Sequence, residues 1–415
     1  MAQTPPLRSV ALIAALATTA CAQDDGPALT RVELGAGPGA AEPNLALDAD
    51  GAVLVSWLEP AGPDTHALRF ARRPAGGAWS EPKTIASGPH WFVNWADFPS
   101  VVRVDDGTLA AHWLVRSGPG TYAYDVAMAL STDDGATWSE PFRPHTDGTQ
   151  TEHGFVSLFE APAGGVGAVW LDGREMGSAE DASEPDGGHG GGAMTLRYAR
   201  FADAGGEPLD GFLLDGRTCD CCQTDAARAG DAVLIAYRDR GDDEVRDIVV
   251  RRGTRDGWEE PTRVHADEWL IPACPVNGPA IAASGDHAAI AWFTAARDTP
   301  RVNVAFSGDG GRSFGAPVRV DGGSPEGRVD LQLVGTAAAV SWLERTADGA
   351  EVRVRLVEEG RIGTPLVITR TGAERASGFP RFVRAGDELV FAWTRAGDPS
   401  RVLTAALPLD RLPRP

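Results

Sequence analysis

Three of the chain's five cysteines fall within four positions, Cys219, Cys221 and Cys222 in the stretch GRTCDCCQTDAA, and a fourth, Cys274, stands in WLIPACPVNGPA. Thiols crowded in this way support three chemistries. In an oxidising compartment four cysteines pair into two disulfides, for example one of Cys219, Cys221 or Cys222 with Cys274 plus a second local bridge. A bridge between the neighbours Cys221 and Cys222 closes a strained ring, so a link between the two stretches is easier to form. As thiolates, Cys219 and Cys222 have C-x-x-C spacing, with Cys274 and His153 as third and fourth ligands for zinc or copper. The remaining chemistry is a redox-active pair, which here lacks the helix N-terminus that normally lowers a thiol pKa.

Acid–base and recognition groups concentrate in a few other short stretches. WLDGREMG carries Asp172, Arg174 and Glu175, and YRDRGDDEVRD carries Tyr237, Arg238, Asp239, Arg240, Arg246 and Asp247. Arg174, Arg238, Arg240 and Arg246 can clamp a carboxylate or sulfate through bidentate hydrogen bonds, or be taken up by the acidic residues of the same stretches. Arg238 directly follows Tyr237 at a strand end, a rigid mount that aims it at a ligand. A carboxylate such as Asp97 or Asp172 paired with Tyr237 is the arrangement that hydrolysis of a glycosidic bond would use. His153, in TQTEHGF, is an acid–base group by location, or an ordinary buried and hydrogen-bonded histidine. Trp95, in HWFVNWADF with Trp91, stacks on a sugar ring or pads the interior, and Asn277 adds a polar contact.

These residues need a scaffold that brings them together, and the sequence supplies one by repetition. AVLVSWLEP, TLAAHWLVR, GVGAVWLDG, AVLIAYRDR, HAAIAWFTA, TAAAVSWLER and ELVFAWTRA are short apolar strands ending in Trp57, Trp113, Trp170, Tyr237, Trp292, Trp342 and Trp393. The aromatics are spaced by 56, 57, 67, 55, 50 and 51 residues, a period that predicts propeller blades. A strand and turn precede each of them, a third strand follows, and in most units a fourth opens on motifs such as AWSEPKTI or GWEEPTRV. The prediction is an all-β fold, a β-propeller of four-stranded blades, seven in number, with six and a decorated terminus as the alternative. Two stacked β-sandwiches would not give one period from end to end. The last unit, 379–408, has three strands, and LTRVELGAG at 29–37 can supply its missing outer strand and close the ring. In a propeller, inter-blade loops and the loops joining second to third strands emerge on one face, around the central funnel. That rule gathers the cysteine stretch, Cys274, Asn277, Asp97, Trp95, His153 and the two arginine-rich stretches at the funnel mouth.

Two repeats carry a sharper signature. STDDGATWSEP, residues 131–141, matches the Ser-x-Asp-x-Gly-x-Thr-Trp pattern called the Asp box, and SGDGGRSFGAP, residues 307–317, matches it with Ser313 and Phe314 in the last two places. With its repeats, the chain resembles the sialidase-like (BNR-repeat, neuraminidase) propeller superfamily over most of its length. The resemblance implies a glycoside hydrolase site with an arginine triad for the substrate carboxylate, a Tyr/Glu nucleophile pair and an aspartate acid/base. The Arg-Ile-Pro motif of that family is absent here, and none of the four tyrosines falls in the last two blades.

The N-terminus sets the expected compartment. Arg8, an apolar run over 9–20 and TTAC ending at Cys21 read as a secretory signal with a lipobox over 1–21, Cys21 being lipidated, or as an ordinary cleaved signal. The expected organisation is then a tether at 22–28, a single propeller at 29–408 and a tail at 409–415, in an exported periplasmic or cell-surface lipoprotein. A net charge of -20 and a single lysine, Lys83, exclude nucleic acid as a partner and leave the membrane to the N-terminal lipid alone. The expectation is a monomer that binds, and hydrolyses, an acidic glycan or other small anionic ligand at its funnel. The alternative is a non-catalytic metal-binding or protein-interaction scaffold built on the Cys/His cluster.

Overall fold

The computed structural model describes Met1 and residues 29–104, 107–176, 192–202 and 206–415. The leader ending at Cys21, the tether and most of the Gly-rich insert around His189 lie outside the described residues. Seven antiparallel sheets follow one another along the chain, and their first strands pack side by side in sequence order until the seventh meets the first. Those first strands are Ala41–Leu47, Ser100–Arg103, His153–Glu160, Asp225–Ala229, Ala280–Ser284, Pro325–Val334 and Arg381–Ala385. The chain is a seven-bladed propeller, and the six-blade alternative falls away.

Each second strand lies between neighbouring blades on both faces, so it is apolar at nearly every position instead of alternating. Ala288 to Trp292 in blade 5 are all at 0 % exposure. The aromatic that ends the strand also needs a partner for its ring N–H, and four blades provide a carboxylate. Trp57 donates to Glu59 at 2.9 Å, Trp170 to Asp172 at 2.8 Å and Trp342 to Glu344 at 2.5 Å, each two residues on and so on the same face of the strand. Trp292 reaches instead to Asp267, at 2.6 Å.

The N-terminal strand closes the ring as expected. Thr30–Arg31 pairs with Arg401–Pro408, Thr30 opposite Ala406, and becomes the outer strand of blade 7. Blade 2 departs from the four-strand expectation. Its sheet holds three strands, and the segment expected as a fourth makes one isolated bridge, Phe142 with Met128. Pro141 and Pro144 flank that bridge, and a proline cannot donate to a ladder. The missing strand leaves a cavity of about 940 Å³ on the flank of the blade, lined by Trp91, Trp113, Phe142 and His145 among others.

Both Asp boxes form side-chain-capped turns. Asp133 accepts from the Thr137 amide at 2.8 Å and hydroxyl at 2.6 Å, and Asp309 repeats this with Ser313. Gly135 sits at φ +70, and a Cβ there would stand 2.3 Å from the Phe70 ring of the preceding blade. Trp138 packs edge-on against that same ring.

Candidate active site at the funnel mouth

Loops from different blades are tied to one another. Gln223 donates to the Ala96 carbonyl at 2.7 Å and accepts from the Gly278 amide at 3.0 Å, joining the segments before blades 2, 4 and 5. Asn277 accepts from the Arg328 amide at 2.7 Å, and Arg328 donates to the Gly378 carbonyl at 2.8 Å. Trp95, half-buried, lies under Arg328 and stacks on Phe379, while the exposed Arg375 stands 5.9 Å from its ring. Trp95 is thus part of an aromatic cap.

Where blades 2 and 3 meet this cap, three oxygen groups converge. The Tyr124 hydroxyl is 2.7 Å from Glu152 Oε1 and 3.1 Å from Asp97 Oδ2. Asp97 also accepts from the Phe155 amide at 2.8 Å. A Cβ on Gly154 would fall 2.0 Å from its Oδ2, so this approach needs glycine. Burial, opposed by the Tyr124 hydrogen bond and supported by the nearby Asp97, Cys274 and Asp220, pushes Glu152 up to about 8. Burial likewise lifts Asp97 to about 7 against its two hydrogen bonds. One phenolic proton cannot serve two carboxylates, so a second proton is retained in the trio near neutral pH. Glu152 is the member that stays partly accessible.

Asp97 has counterparts. Asp225 accepts from the Ile281 amide at 2.7 Å and Asp330 from the Phe382 amide at 2.8 Å. Each latches the first strand of the next blade, as Asp97 does, and burial raises all three. Tyr124 and Glu152, which the other latches lack, therefore distinguish this site. Sequence reasoning passed over both as functional groups, although Glu152 stands next to His153 in TQTEHGF.

The thiols lie beside this trio. Cys219 and Cys222 are buried with their sulfurs 3.1 Å apart, Cys221 is half-buried and Cys274 is exposed. None of the four is disulfide-bonded in this structure. Burial raises the Cys219 thiol, but hydrogen bonds from Cys221 and Cys222 and the charges of Arg238 and Arg246 outweigh it and hold it well below the usual range. Cys221 is pushed up chiefly by its hydrogen bonds with Cys219, Cys222 and Cys274, and Cys222 chiefly by burial.

His153 does not join the thiols, which corrects its assignment as their fourth ligand. It is fully buried between blades 2 and 3 and stacks on His145 with ring centroids 3.9 Å apart. Its Nε2 faces Asp147 Oδ2 at 3.3 Å and Asp172 Oδ1 at 3.7 Å. Arg174 closes this cluster, donating to both oxygens of Asp172 at 2.7 and 2.6 Å and standing 3.1 Å from Asp147. Burial lowers His145 to about 4.

The other proposed groups are dispersed. Tyr237 is buried and donates to Asp215 at 2.7 Å, so it pairs with neither Asp97 nor Asp172. The four arginines do not converge on open space. Arg174 is taken by Asp172 and Asp147, Arg240 by Glu244 and Asp220, and Arg246 by Glu244 and the Cys219 sulfur. Arg238, 2 % exposed, donates to the carbonyls of Asn277, Arg246 and Phe293 and lies over Trp269.

No family model matches the chain, and no curated protein matches it in sequence. Solved structures do. A family PL25 ulvan lyase superposes with TM-score 0.56 at 12% identity, covering 92% of this chain and 96% of the lyase. An α-L-arabinofuranosidase of Fusarium graminearum gives 0.52 at 13% identity, covering 93% and 99%. A sialidase from Streptococcus pneumoniae gives 0.48 at 10% identity, covering 87% and 84%. At these identities the likeness is one of fold, and the chain is a seven-bladed β-propeller with two Asp-box turns.

Proposed function

We propose that this protein binds and cleaves a glycan at its funnel mouth, with Glu152 as the proton donor to the leaving oxygen, Tyr124 holding Glu152 in place, and Asp97 keeping it protonated. The observation that carries this reading is the 2.7 Å contact between the Tyr124 hydroxyl and a partly accessible carboxyl raised to about 8. A general acid works best when its pKa lies near the working pH, and ordinary glutamates lie far below. The glycan-acting enzymes among the structural neighbours, an ulvan lyase and an α-L-arabinofuranosidase, support a sugar ligand. Preference for an acidic glycan rests on Arg375, which has no carboxylate within salt-bridge reach among the described residues and stands beside Trp95 at the cap.

The test is a reducing-end and fluorogenic screen across uronic-acid, sialic-acid and neutral arabinose-containing oligosaccharides, run with wild type, Glu152→Gln and Arg375→Ala. Cleavage is expected on at least one class, lost by about 10²–10⁴-fold in Glu152→Gln. Arg375→Ala raises KM for charged substrates only. Glu152→Gln cleaving as fast as wild type, or no cleavage of any class, overturns the reading.

A further inference from the structure

The proton-donor reading leaves the four cysteines without a task, and the spacing of their sulfurs fits a metal ion. We propose that Cys219, Cys221, Cys222 and Cys274 form a thiolate site for one soft d¹⁰ metal ion, zinc(II) or copper(I), at the funnel mouth.

The argument begins with charge. Arg238 is 2 % exposed, and its hydrogen bonds all go to backbone carbonyls. It has no carboxylate within ion-pair distance among the described residues, and a buried cation without a counter-charge costs several kcal/mol on general grounds. The anion available to it is sulfur. Arg246 confirms the direction of the field by donating to Cys219 Sγ at 3.4 Å. Two guanidinium groups therefore back one face of the cluster, where they stabilise thiolate sulfur and serve as outer-shell donors to bound thiolates.

Geometry supplies the rest. The sulfurs of Cys219, Cys221 and Cys222 all lie within 4.8 Å of one another. A metal–sulfur bond of about 2.3 Å holds its sulfurs roughly 3.8 Å apart, so these three fit around one ion with small side-chain adjustments. Cys219 and Cys222, buried at the back, are the anchoring pair. Cys221 faces outward and interacts with Cys274, the exposed thiol on the loop before blade 5. A metal on the first three thus has a fourth sulfur at hand, giving the four-sulfur set preferred by zinc; without it, the three-sulfur set suits copper(I). Binding displaces thiol protons to solvent and involves no electron transfer. Histidine has no part in this site, because His153 belongs to the cluster between blades 2 and 3.

The experiment uses the reduced full chain purified without chelator. Metal content is measured after competition with a chromophoric chelator in separate zinc(II) and copper(I) titrations, and sulfur ligation is counted by X-ray absorption. One ion per chain with three or four sulfurs is expected, four sulfurs identifying zinc and three identifying copper(I). Cys222→Ser removes an anchoring ligand and is expected to weaken retention by more than the roughly 10–100-fold that loss of an outer-shell partner costs. Because Cys222 is buried, the exposed Cys274→Ser serves as the second variant, which leaves the buried pair in place, and it lowers the sulfur count by one in the zinc form. Failure to retain either ion, a sulfur count below three, or retention unchanged in both variants overturns the proposal. A Cys219–Cys222 disulfide that forms equally fast with and without metal does so too.

Discussion

Tyr124 donates toward two carboxyl neighbours, Glu152 at 2.7 Å and Asp97 at 3.1 Å, and the burial of both carboxyls is the source of the trio's pH behaviour. In the unfolded chain Glu152 titrates near 4.5, and in the folded chain burial raises it to about 8. The folded state therefore holds a proton that the unfolded state gives up. Stability from the trio is fully present below pH 4.5 and is lost as pH rises through about 8. Unfolding free energy measured in urea from about pH 5 to about pH 9 should fall, and Glu152→Gln, which cannot ionise, should flatten that fall by an amount on the order of 1–2 kcal/mol. An unchanged slope in the variant would show that the proton resides elsewhere. Reading the sequence alone favoured His153 over its neighbour Glu152, and strand geometry explains why. Successive side chains point to opposite sides, so one of the two faces the funnel and the other the blade interface. Loop position brought both to the mouth, but the phase of that alternation is fixed only by packing, here the stacking of His153 on His145.

The strands explain why Asp172 looked catalytic in the sequence. It stands at the end of a Trp-Leu-Asp triplet, and Trp57-Leu58-Glu59 and Trp342-Leu343-Glu344 show what that triplet does: the carboxylate satisfies the indole N–H of a buried tryptophan. The recurrence was visible in the chain, yet its purpose depends on knowing that both faces of the strand are covered. Asp172 carries the further load of Arg174, whose removal leaves Asp172 and Asp147 facing each other across His153. Arg174→Met is expected to destabilise the fold by about 2 kcal/mol in urea unfolding, below the roughly 3–5 kcal/mol of a fully buried pair because the arginine keeps 22% of its side chain exposed. A loss under about 0.5 kcal/mol would mean that the cluster is compensated by His153 alone. The first Asp-box turn can be compared with a glycine of similar backbone outside either Asp box. Gly135 and Gly148 have φ of +70 and +72, but a Cβ at Gly135 meets Phe70 at 2.3 Å while one at Gly148 meets nothing within 4 Å. Gly148→Ala should cost about 1 kcal/mol for backbone conformation alone, and Gly135→Ala about 1–3 kcal/mol more for the displaced ring. Equal losses in the two would remove the inter-blade wedge from the account of this turn.

At the scale of the molecule, a ring of seven blades is only as secure as the seam between the last and the first. The repeat count exposed that seam in the sequence, because the final unit ran out after three strands; the depth of its stitching was not legible, since its partners are more than 300 residues apart. Arg73 of blade 1 pairs with Glu388 of blade 7 at 2.5 Å, and the Trp79 ring N–H donates to the Thr404 hydroxyl at 2.9 Å. Thr404 in turn donates to the Val32 carbonyl at 2.5 Å and accepts the Val32 amide on its own carbonyl at 3.0 Å, so the N-terminal strand is held by the same residue that anchors blade 1. Deleting residues up to Val32 would leave Arg401–Pro408 as an unpaired edge and strand Thr404 with half its partners, at a cost of a few net hydrogen bonds, each about 1 kcal/mol, plus the exposed apolar surface. The shortened chain should melt on the order of 5–10 °C lower and self-associate through the bared edge. Amide exchange should quicken first along Arg401–Pro408, then in the adjoining strand Glu388–Arg395, before the blades on the far side of the ring respond. Uniform acceleration across all seven blades would mean that the ring opens as one cooperative unit, with no weak point at the seam. Unchanged melting would mean that the Arg73 and Trp79 contacts close the ring without the N-terminal strand.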